Sequence, residues 1–373
     1  MTVDPVVLLS GPRGRRLCLE FARRLYAATH EAGQLGEAIF YVAYDLDPGH
    51  GTSRVLFGQA VSESSPLNHD RYSPPKHSPD DVARLLTVVP LAEADERALL
   101  LTFAAAVDCA RYWQELDGED VLAGAPELHA PLARVATLVA DSPHSAWSAS
   151  PLDFEAQWVV EFERTTAGAG TLRTASETLK QWHAARVSEK IAAGRDRPAN
   201  PRAAWSATWW SKPPAGLKRT TRAVDVGGPA GLWLVEDSMG WEKAAVHQIR
   251  VSRDARVYEI DGPNAWANLC RRYPLEVTAS RRHDWYRTTA RTGRWVIPDW
   301  AQIGREIDAA HLTVAGYLSI AGLAVPVGDD LMTVLAGWDP DQTYWLTDVT
   351  QDESTHPAWL YGPHEGWTLS ATR

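Results

Sequence analysis

The chain has 373 residues and a formal net charge of −10 at pH 7. This acidic balance argues against non-specific binding to nucleic acid or to a membrane surface as the main activity. Hydrophobic residues make up 45% of the chain and charged residues 23%, which argues against global disorder and predicts a globular protein. Because the length exceeds that of an average domain, we expect two domains, or three.

The N-terminal 150 residues carry mainly helical patterns with a few strands. Apolar residues recur at helical spacing in residues 80–86, 94–116 and 126–140. The short apolar runs at residues 6–10, 38–44 and 53–57 predict strands instead. Residues 11–14 form a glycine turn like that of a phosphate-binding loop, but the Lys-Ser/Thr ending is missing, so a plain turn is the better interpretation.

A polar linker at residues 194–203 precedes a part of the chain that is rich in short β-like runs. Before it, residues 151–203 predict a strand at 154–162 and a charged helix at 174–193. After it, short helices are expected behind Asp237 and Ser238, Asp261 and Asp299, where Asp or Ser can cap a helix. Strands are expected at 231–235, 248–251, 256–260, 295–297, 311–319, 333–338 and 343–349. We therefore predict an α+β protein with a mainly helical domain at 1–150, a strand, helix and linker at 151–203, and a Trp-rich α+β domain at 204–373.

The cysteines and the N-terminus favour a cytoplasmic protein. Cys18, Cys109 and Cys270 are odd in number and widely spaced, which fits neither a disulfide framework nor a zinc site. The first apolar run is too short for a signal peptide, and no later stretch is apolar enough to span a membrane. Histidines also lack metal-site spacing. We expect no metal and no membrane association.

Tryptophan is unusually frequent, with 17 residues, 13 of them after residue 200. An indole ring can fill a core, or it can present a stacking surface to a ring-shaped ligand. Burial in the core is the more common outcome for any single tryptophan. The concentration in the C-terminal part keeps the recognition surface as an alternative.

Seven arginines lie between residues 271 and 294, among them Arg281 and Arg282, against only two acidic residues. Arginine binds phosphate or carboxylate groups with two parallel hydrogen bonds, so this stretch is a candidate anion site in an otherwise acidic chain. The alternative is a solvated segment whose arginines pair with acidic residues elsewhere in the chain.

Three residues near the C-terminus are candidate catalytic groups: His311, Asp339 and Asp341. On an extended chain His311 shares one face with Thr313. Proline between the two aspartates fixes a turn, so both carboxylates can lie on one rim and repel each other, which would raise one pKa. A structural hydrogen bond for His311 and an ordinary β-turn for the aspartates are the alternatives.

Three segments of the C-terminal part resemble motifs of the mono-ADP-ribosyltransferases. The segment KRTTRAV corresponds to the first motif through Arg219 or Arg222, and GLWLVEDS to the second through Trp233 and Ser238. The segment WDPDQTYWL corresponds to the third through Asp339, Asp341 and Gln342. The family's Ser-Thr-Ser is absent, and Asp-Pro-Asp replaces its Glu-x-Glu.

The resemblance implies an enzyme that uses NAD, either for ADP-ribosyl transfer to a protein or nucleic-acid acceptor or for glycohydrolysis. The residues expected to bind NAD are Arg219, Arg222, Trp233, Ser238, Arg281, Arg282, Thr313, Tyr317 and Gln342. This hypothesis requires the arginines, His311 and the two aspartates to line one cavity. The alternative is a non-catalytic interaction protein whose Trp-rich half is a recognition surface.

Overall fold

The structure is a computed structural model, and it describes residues 3–29, 33–51, 75–92, 95–163, 173–349, 357–363 and 365–370. Helices and strands both contribute to it, which confirms the α+β class. The first part is helical: α1 (Pro5–Ser10), α2 (Pro12–Thr29), α3 (Gln34–Leu46), α4 (Pro79–Thr87), α5 (Glu96–Asp108), α6 (Gly118–Ala123) and α7 (His129–Asp141). A 3₁₀ segment, Pro143–Ala149, ends this helical half.

The strands predicted at residues 6–10 and 38–44 are wrong, because both runs are helical. Helix α1 begins where the Asp4 side chain accepts from the Val6 N–H and a proline occupies the first turn, a combination typical of a helix start. Helix α3 buries Leu35, Ala38, Ile39 and Val42, which is helical spacing. The strand predicted at 53–57 lies outside the described residues.

The second part of the chain begins with β1 (Gln157–Phe162) and α8 (Ala175–Asp196), close to their predicted positions. Thr174 and Glu177 form a capping box that starts α8. The remaining strands are β2 (Arg219–Thr220), β3 (Ala223–Val224), β4 (Gly228–Pro229), β5 (Lys243–Ile249), β6 (Val257–Ile260), β7 (Pro274–Glu276), β8 (Arg294–Pro298), β9 (Ala309–Leu312), β10 (Val325–Gly328), β11 (Leu331–Thr333), β12 (Thr343–Trp345), β13 (Ala358–Gly362) and β14 (Gly366–Leu369). The helices among them are α9 (Pro263–Arg272), α10 (Thr278–Thr289), α11 (Trp300–Ile303) and α12 (Val314–Ile320).

Most of the predicted C-terminal elements exist, with four corrections. The strand predicted at 333–338 coincides with β11 only at Thr333. The strand predicted at 311–319 ends at Leu312, because the Thr313 hydroxyl accepts from the Gly316 N–H and starts α12. The helix predicted behind Asp237 is replaced by strand β5. A short 3₁₀ turn, Ala230–Leu232, stands where residues 231–235 were expected to form a strand.

The sheet with strand order β2-β12-β9-β6 positions the polar residues of interest. On one face a row runs from Thr220 through Thr343 and His311 to Glu259, because these residues are neighbours in register. Arg219 pairs with Tyr344 in the adjacent row. Since successive side chains of a strand point to opposite faces, His311 and Arg219 belong to opposite faces of this sheet.

One continuous cluster of buried apolar side chains joins the helical half to the later strands. Within it, the Trp266, Trp300 and Trp338 rings meet at centroid distances of 5.5 to 6.5 Å. Tryptophan therefore contributes mainly to the core; Trp205 and Trp210, at 41% and 39% exposure, are the exposed ones among the described residues. The domain boundaries at residues 150 and 203 stay predictions.

Candidate functional site

His311 is the centre of a closed polar network on one face of the sheet. Its Nδ1 lies 2.6 Å from Oε2 of Glu259, and its Nε2 lies 3.5 Å from Oδ1 of Asp341. The same Oδ1 accepts from Nε of Arg222 at 2.5 Å, while Oδ2 accepts from the Thr221 hydroxyl and the Arg222 N–H at 2.8 Å each. We call Glu259, His311, Asp341 and Arg222 the His311 network.

The charges of the His311 network stabilise one another. Burial alone would lower the pKa of His311, but hydrogen bonds to Asp341 and Glu259 outweigh it, so the pKa is raised. Burial alone would raise the pKa of Asp341, but its hydrogen bond with His311 and the charge of Arg222 hold that pKa below its usual value. The two carboxylates thus favour the protonated form of His311.

The His311 network fastens the end of the helical half to the sheet. Arg222 donates to the carbonyl oxygens of Trp147, Ser150 and Pro151 at 2.9 to 3.3 Å, and Glu259 accepts from the Leu152 N–H at 3.0 Å. His311, Asp341 and Arg222 are each at most 7% exposed. Glu259 is partly exposed, but both of its carboxylate oxygens already accept hydrogen bonds. A network whose acceptors are occupied in this way is typical of a structural connection.

A second polar cluster contains carboxyl, hydroxyl and cationic groups that are not saturated. The Asp339 carboxylate accepts from the Glu236 N–H at 2.9 Å and from the Gln342 side chain at 3.4 Å. The Tyr112 and Tyr317 hydroxyls lie 3.1 Å apart. We call the following set the Glu236 cluster: Glu236, Asp339, Gln342, Arg219, Lys212, Tyr112, Tyr317 and Tyr344.

The Glu236 cluster has a buried side and a side that reaches solvent. Tyr112, Tyr317 and Tyr344 are at most 1% exposed and form the buried side. The charged members and Gln342 are only partly buried. Arg219, held near Tyr344 and Asp339, has a raised pKa although its burial acts to lower it, so it is a permanent cation at this site.

Several polar atoms of the Glu236 cluster make no regular hydrogen bond, although Tyr317 interacts with Glu236 and Arg219 with Tyr344. A second group of such atoms surrounds Arg281. Among the described residues, both carboxylate oxygens of Glu236, Oε1 of Gln342 and the Tyr344 hydroxyl are covered yet make no regular hydrogen bond. Native proteins pair almost all such atoms, so a group of orphans in one place indicates a site for water or a ligand. Burial and the nearby Asp339 raise the pKa of Glu236 to about 8, although Lys212 and Tyr317 act in the opposite direction.

The helical half contributes to this cluster through Tyr112 and Arg13. Arg13 is fully buried, forms an ion pair with Asp120 and donates to Sγ of Cys109 at 2.8 Å. Its charge lowers the pKa of Glu236, while burial raises the pKa of Tyr317 well above its usual value. The Glu236 cluster therefore lies where the helical half meets the α+β part.

The two aspartates of the Asp-Pro-Asp turn do not form a carboxylate pair. Asp341 has a φ of 57°, in the left-handed region, and its carboxylate joins the His311 network. Asp339 binds Glu236 and Gln342 instead. The predicted repulsion fails, because the pKa of Asp341 is lowered rather than raised.

The arginine-rich stretch runs from the end of α9 through α10 to the start of β8, and the arginines of α10 bind local partners. Arg281 is fully buried and pairs with Glu189 of α8 at 3.2 Å, while Arg282 donates to the Ala199 carbonyl at 3.2 Å. Arg287 pairs with Asp284 within the same helix. Nε and Nη2 of Arg281 and Nε of Arg282 are buried without a partner, but the contacts of both arginines are to α8 and the segment after it. These arginines therefore belong neither to the His311 network nor to the Glu236 cluster.

The other predicted ligand residues are dispersed. Thr313 caps helix α12, and Trp233 donates from its indole N–H to the Gly227 carbonyl at 2.7 Å beneath the Arg97 guanidinium. The Ser238 N–H binds Asp108 of α5 at 2.8 Å. Of the predicted residues, the Glu236 cluster contains Arg219, Tyr317, Asp339 and Gln342, whereas the His311 network contains Arg222, His311 and Asp341.

Five residues of these clusters were missed from sequence: Glu236, Lys212, Tyr112, Tyr344 and Glu259. Arg13, next to the Glu236 cluster, was missed as well. A weak signal existed for Glu236, because it lies inside the GLWLVEDS segment, two residues before the chosen Ser238. Tyr112 lies in a stretch predicted to be helical and Arg13 in a predicted turn, and the sequence around them offers no such signal.

A separate pocket of about 300 Å³ lies between the start of α8 and helix α11, with Lys180, Arg305 and Asp348 in its wall. Within the described residues, no group of three or more His, Cys, Asp or Glu side chains could hold a metal ion. No helix of the described part is long and apolar enough to cross a bilayer. No family model, no curated protein and no solved structure matches this chain.

Proposed function

We propose that the protein is an enzyme that uses NAD as its substrate and cleaves the nicotinamide–ribose bond at the Glu236 cluster. The supporting observation is that the three segments resembling ADP-ribosyltransferase motifs each supply a residue there. Arg219 comes from the first, Glu236 from the second, and Asp339 with Gln342 from the third. Arg219 and Tyr344 are also cross-strand partners, which fixes their separation.

The residue types suit this chemistry. Loss of nicotinamide leaves a ribose with oxocarbenium-like positive charge, which a nearby carboxylate stabilises. Asp339 is partly exposed and keeps its geometry through two hydrogen bonds, so it is the carboxylate we assign to this role. Arg219 and Lys212 supply positive charge for the phosphates of NAD, and the unpaired Gln342 oxygen can accept from a ribose hydroxyl.

The second half of the reaction needs a proton acceptor. The bond between ribose C1′ and the pyridine nitrogen breaks, and its electron pair stays on neutral nicotinamide. A hydroxyl oxygen from water or an acceptor then bonds to C1′, and its proton must leave. Glu236, whose pKa is raised to about 8, can receive that proton in its ionised form, which prevails above about pH 8.

The direct test is nicotinamide release from NAD by the purified protein. We expect release by the native chain and a loss of about 100-fold or more in Asp339→Asn, which keeps the hydrogen-bond acceptor and removes the charge. Asp330→Asn is the matched control, since Asp330 pairs with Arg294 at the exposed surface. Absence of both nicotinamide release and an NAD-induced rise in melting temperature would refute the proposal.

A non-catalytic recognition role is the alternative, and the exposed Trp205 and Trp210 favour it. This alternative predicts that Trp205→Ala and Trp210→Ala impair binding of the recognised partner, whereas Asp339→Asn does not. Since most tryptophans fill the core, this surface is small, and the unsaturated Glu236 cluster favours the enzyme.

A further inference from the structure

The segment that carries Glu236 is held from two sides. On one side, the Glu236 N–H donates to Asp339 in the α+β part at 2.9 Å. On the other, Arg111 Nε lies 2.8 Å from Oδ1 of Asp237, and Asp108 accepts from the Ser238 N–H at 2.8 Å. Three consecutive residues are thus fixed by three contacts, two of them from the end of helix α5 and the turn that follows it.

The backbone of this segment is strained at the residue that forms an ion pair with the helical half. Asp237 has a φ of 49°, in the left-handed region that residues other than glycine rarely adopt. Such a conformation costs about 1 kcal/mol or more and persists where neighbouring groups enforce it. The turn then continues through Met239, 73% exposed, to Gly240 with a φ of 69°. Among the described residues, the polar contacts between residues 237–238 and the helical half come from the end of α5 and the turn that follows it.

The helical half also contributes Tyr112 to the buried side of the Glu236 cluster. Tyr112, four residues after Asp108, binds the Tyr317 hydroxyl at 3.1 Å, and this hydroxyl faces the Glu236 carboxyl. Arg111 is itself fixed, because it donates to the Ala110 carbonyl at 3.0 Å. One short stretch of the helical half therefore touches the cluster both from its buried side and through the backbone next to Glu236.

We propose that Arg111 and Asp108 are positioning residues that hold Glu236 over Tyr317, so that the helical half completes the active centre. The inference takes its site from the proposed function. Its test is made without NAD, so the two can fail separately.

The readout is the ionisation of Glu236, followed by infrared spectroscopy of its carboxyl group in carbon-13 glutamate-labelled protein, with Glu236→Gln identifying the band. The groups that face it are Asp339, Lys212, Tyr317 and Arg13. In the native chain we expect a transition near pH 8. In Arg111→Ala the turn relaxes and water reaches the carboxyl, so its pKa falls by about one unit or more.

Asp237→Asn is the matched variant, because asparagine tolerates the left-handed conformation and removes only the ion pair. Asp237→Asn should lower the pKa of Glu236 by the same amount as Arg111→Ala. The double variant Arg111→Ala/Asp237→Asn should lower it no further. Arg111→Lys should restore much of the native value. Arg84→Ala, which breaks an exposed ion pair with Asp81 on α4, is the control and should leave Glu236 unchanged.

Unchanged titration of Glu236 in both Arg111→Ala and Asp237→Asn would overturn the inference, and so would a shift of equal size in Arg84→Ala. If Arg111→Ala does not fold, Asp237→Asn decides alone, since it changes one partly exposed side chain. If the pKa of Glu236 shifts as expected in the variants but the native protein releases no nicotinamide, the positioning role is supported and the NAD reaction is refuted.

Discussion

The Nε2 atom of His311 lies 3.5 Å from Oδ1 of Asp341, and neither side chain is more than 2% exposed. Sequence alone makes these two residues candidate catalytic groups, with a structural role as the alternative, and the fold does bring them together. However, Arg222 and Glu259 occupy the remaining positions around them. Proximity of a histidine and a carboxylate is therefore insufficient to define an active centre, because the groups must also have room for a substrate.

We expect His311→Gln to destabilise the protein by about 2–4 kcal/mol, because the change removes the cation between Asp341 and Glu259. Urea unfolding followed by tryptophan fluorescence measures this loss. An effect below about 0.5 kcal/mol would show that the network contributes little.

The contribution of His311 to stability should depend on pH. Its folded-state pKa is raised above 6.5, so its contribution is fully present below pH 6.5 and is lost as pH rises through the folded-state value. Asp341 acts oppositely: its pKa is lowered below 3.8, so its contribution is present above pH 3.8 and is lost as pH falls through the folded-state value. The difference between the native chain and His311→Gln should therefore shrink between about pH 5 and about pH 9. A difference that grows with pH would contradict this sign.

The two aspartates of the turn should respond differently to the same substitution. Asp341→Asn leaves the buried Arg222 guanidinium without its carboxylate and should cost about 3–5 kcal/mol. Asp339→Asn keeps an acceptor for the Glu236 N–H and should cost no more than about 1 kcal/mol. Thermal melting of the two variants measures both losses of stability. Losses of similar size would contradict the assignment of Asp339 and Asp341 to different clusters.

Glu236→Gln should stabilise the protein in alkaline solution. Because the folded-state pKa of Glu236 is raised from 4.5 to about 8, the native chain loses stability as pH rises between these values. Glutamine has no charge to bury, so the variant should gain about 1–3 kcal/mol at about pH 9 and little at about pH 5. Denaturant unfolding at both pH values measures the gain. Equal stability at both would mean that Glu236 is hydrated in the folded protein.

The buried Arg281 offers a test of the arginine-rich stretch. Burial lowers the pKa of Arg281 to about 10, although Glu189 acts to raise it. Burying this charged guanidinium therefore costs free energy of folding. Arg281→Met should change stability by less than Glu189→Gln, which strands a buried cation, and NAD affinity should not change. Isothermal titration with NAD would reveal a ligand role through a tenfold or larger loss of affinity in Arg281→Met.

Elements with strong local signals could be predicted from sequence. Helix α8 has its capping residues Thr174 and Glu177. Helix α9 follows Asp261 as expected, but its N-cap is Gly262 and not Asp261. The strand predicted at residues 38–44 failed, since a short apolar run is compatible with either structure and only the packing of α3 decides. Thr313 was read as a strand residue, although threonine is also a common helix cap.

The candidate site was only partly predictable for a different reason. Arg219, Tyr317, Asp339 and Gln342 stand in polar and aromatic surroundings that local sequence reveals. Their meeting with Tyr112 depends on a contact across 205 positions of the chain, which no local pattern encodes. The opposite orientations of Asp339 and Asp341 depend on a left-handed residue, which one sequence does not specify.

A crystal structure of the protein with a non-hydrolysable NAD analogue tests the central claim most directly. We predict that the nicotinamide and its ribose lie against Glu236, Asp339 and Tyr317, with the unpaired Glu236 and Gln342 oxygens bonded to the ligand. Binding in the pocket beside Lys180 and Arg305, or contact with His311 and Asp341 after the network has opened, would contradict the account.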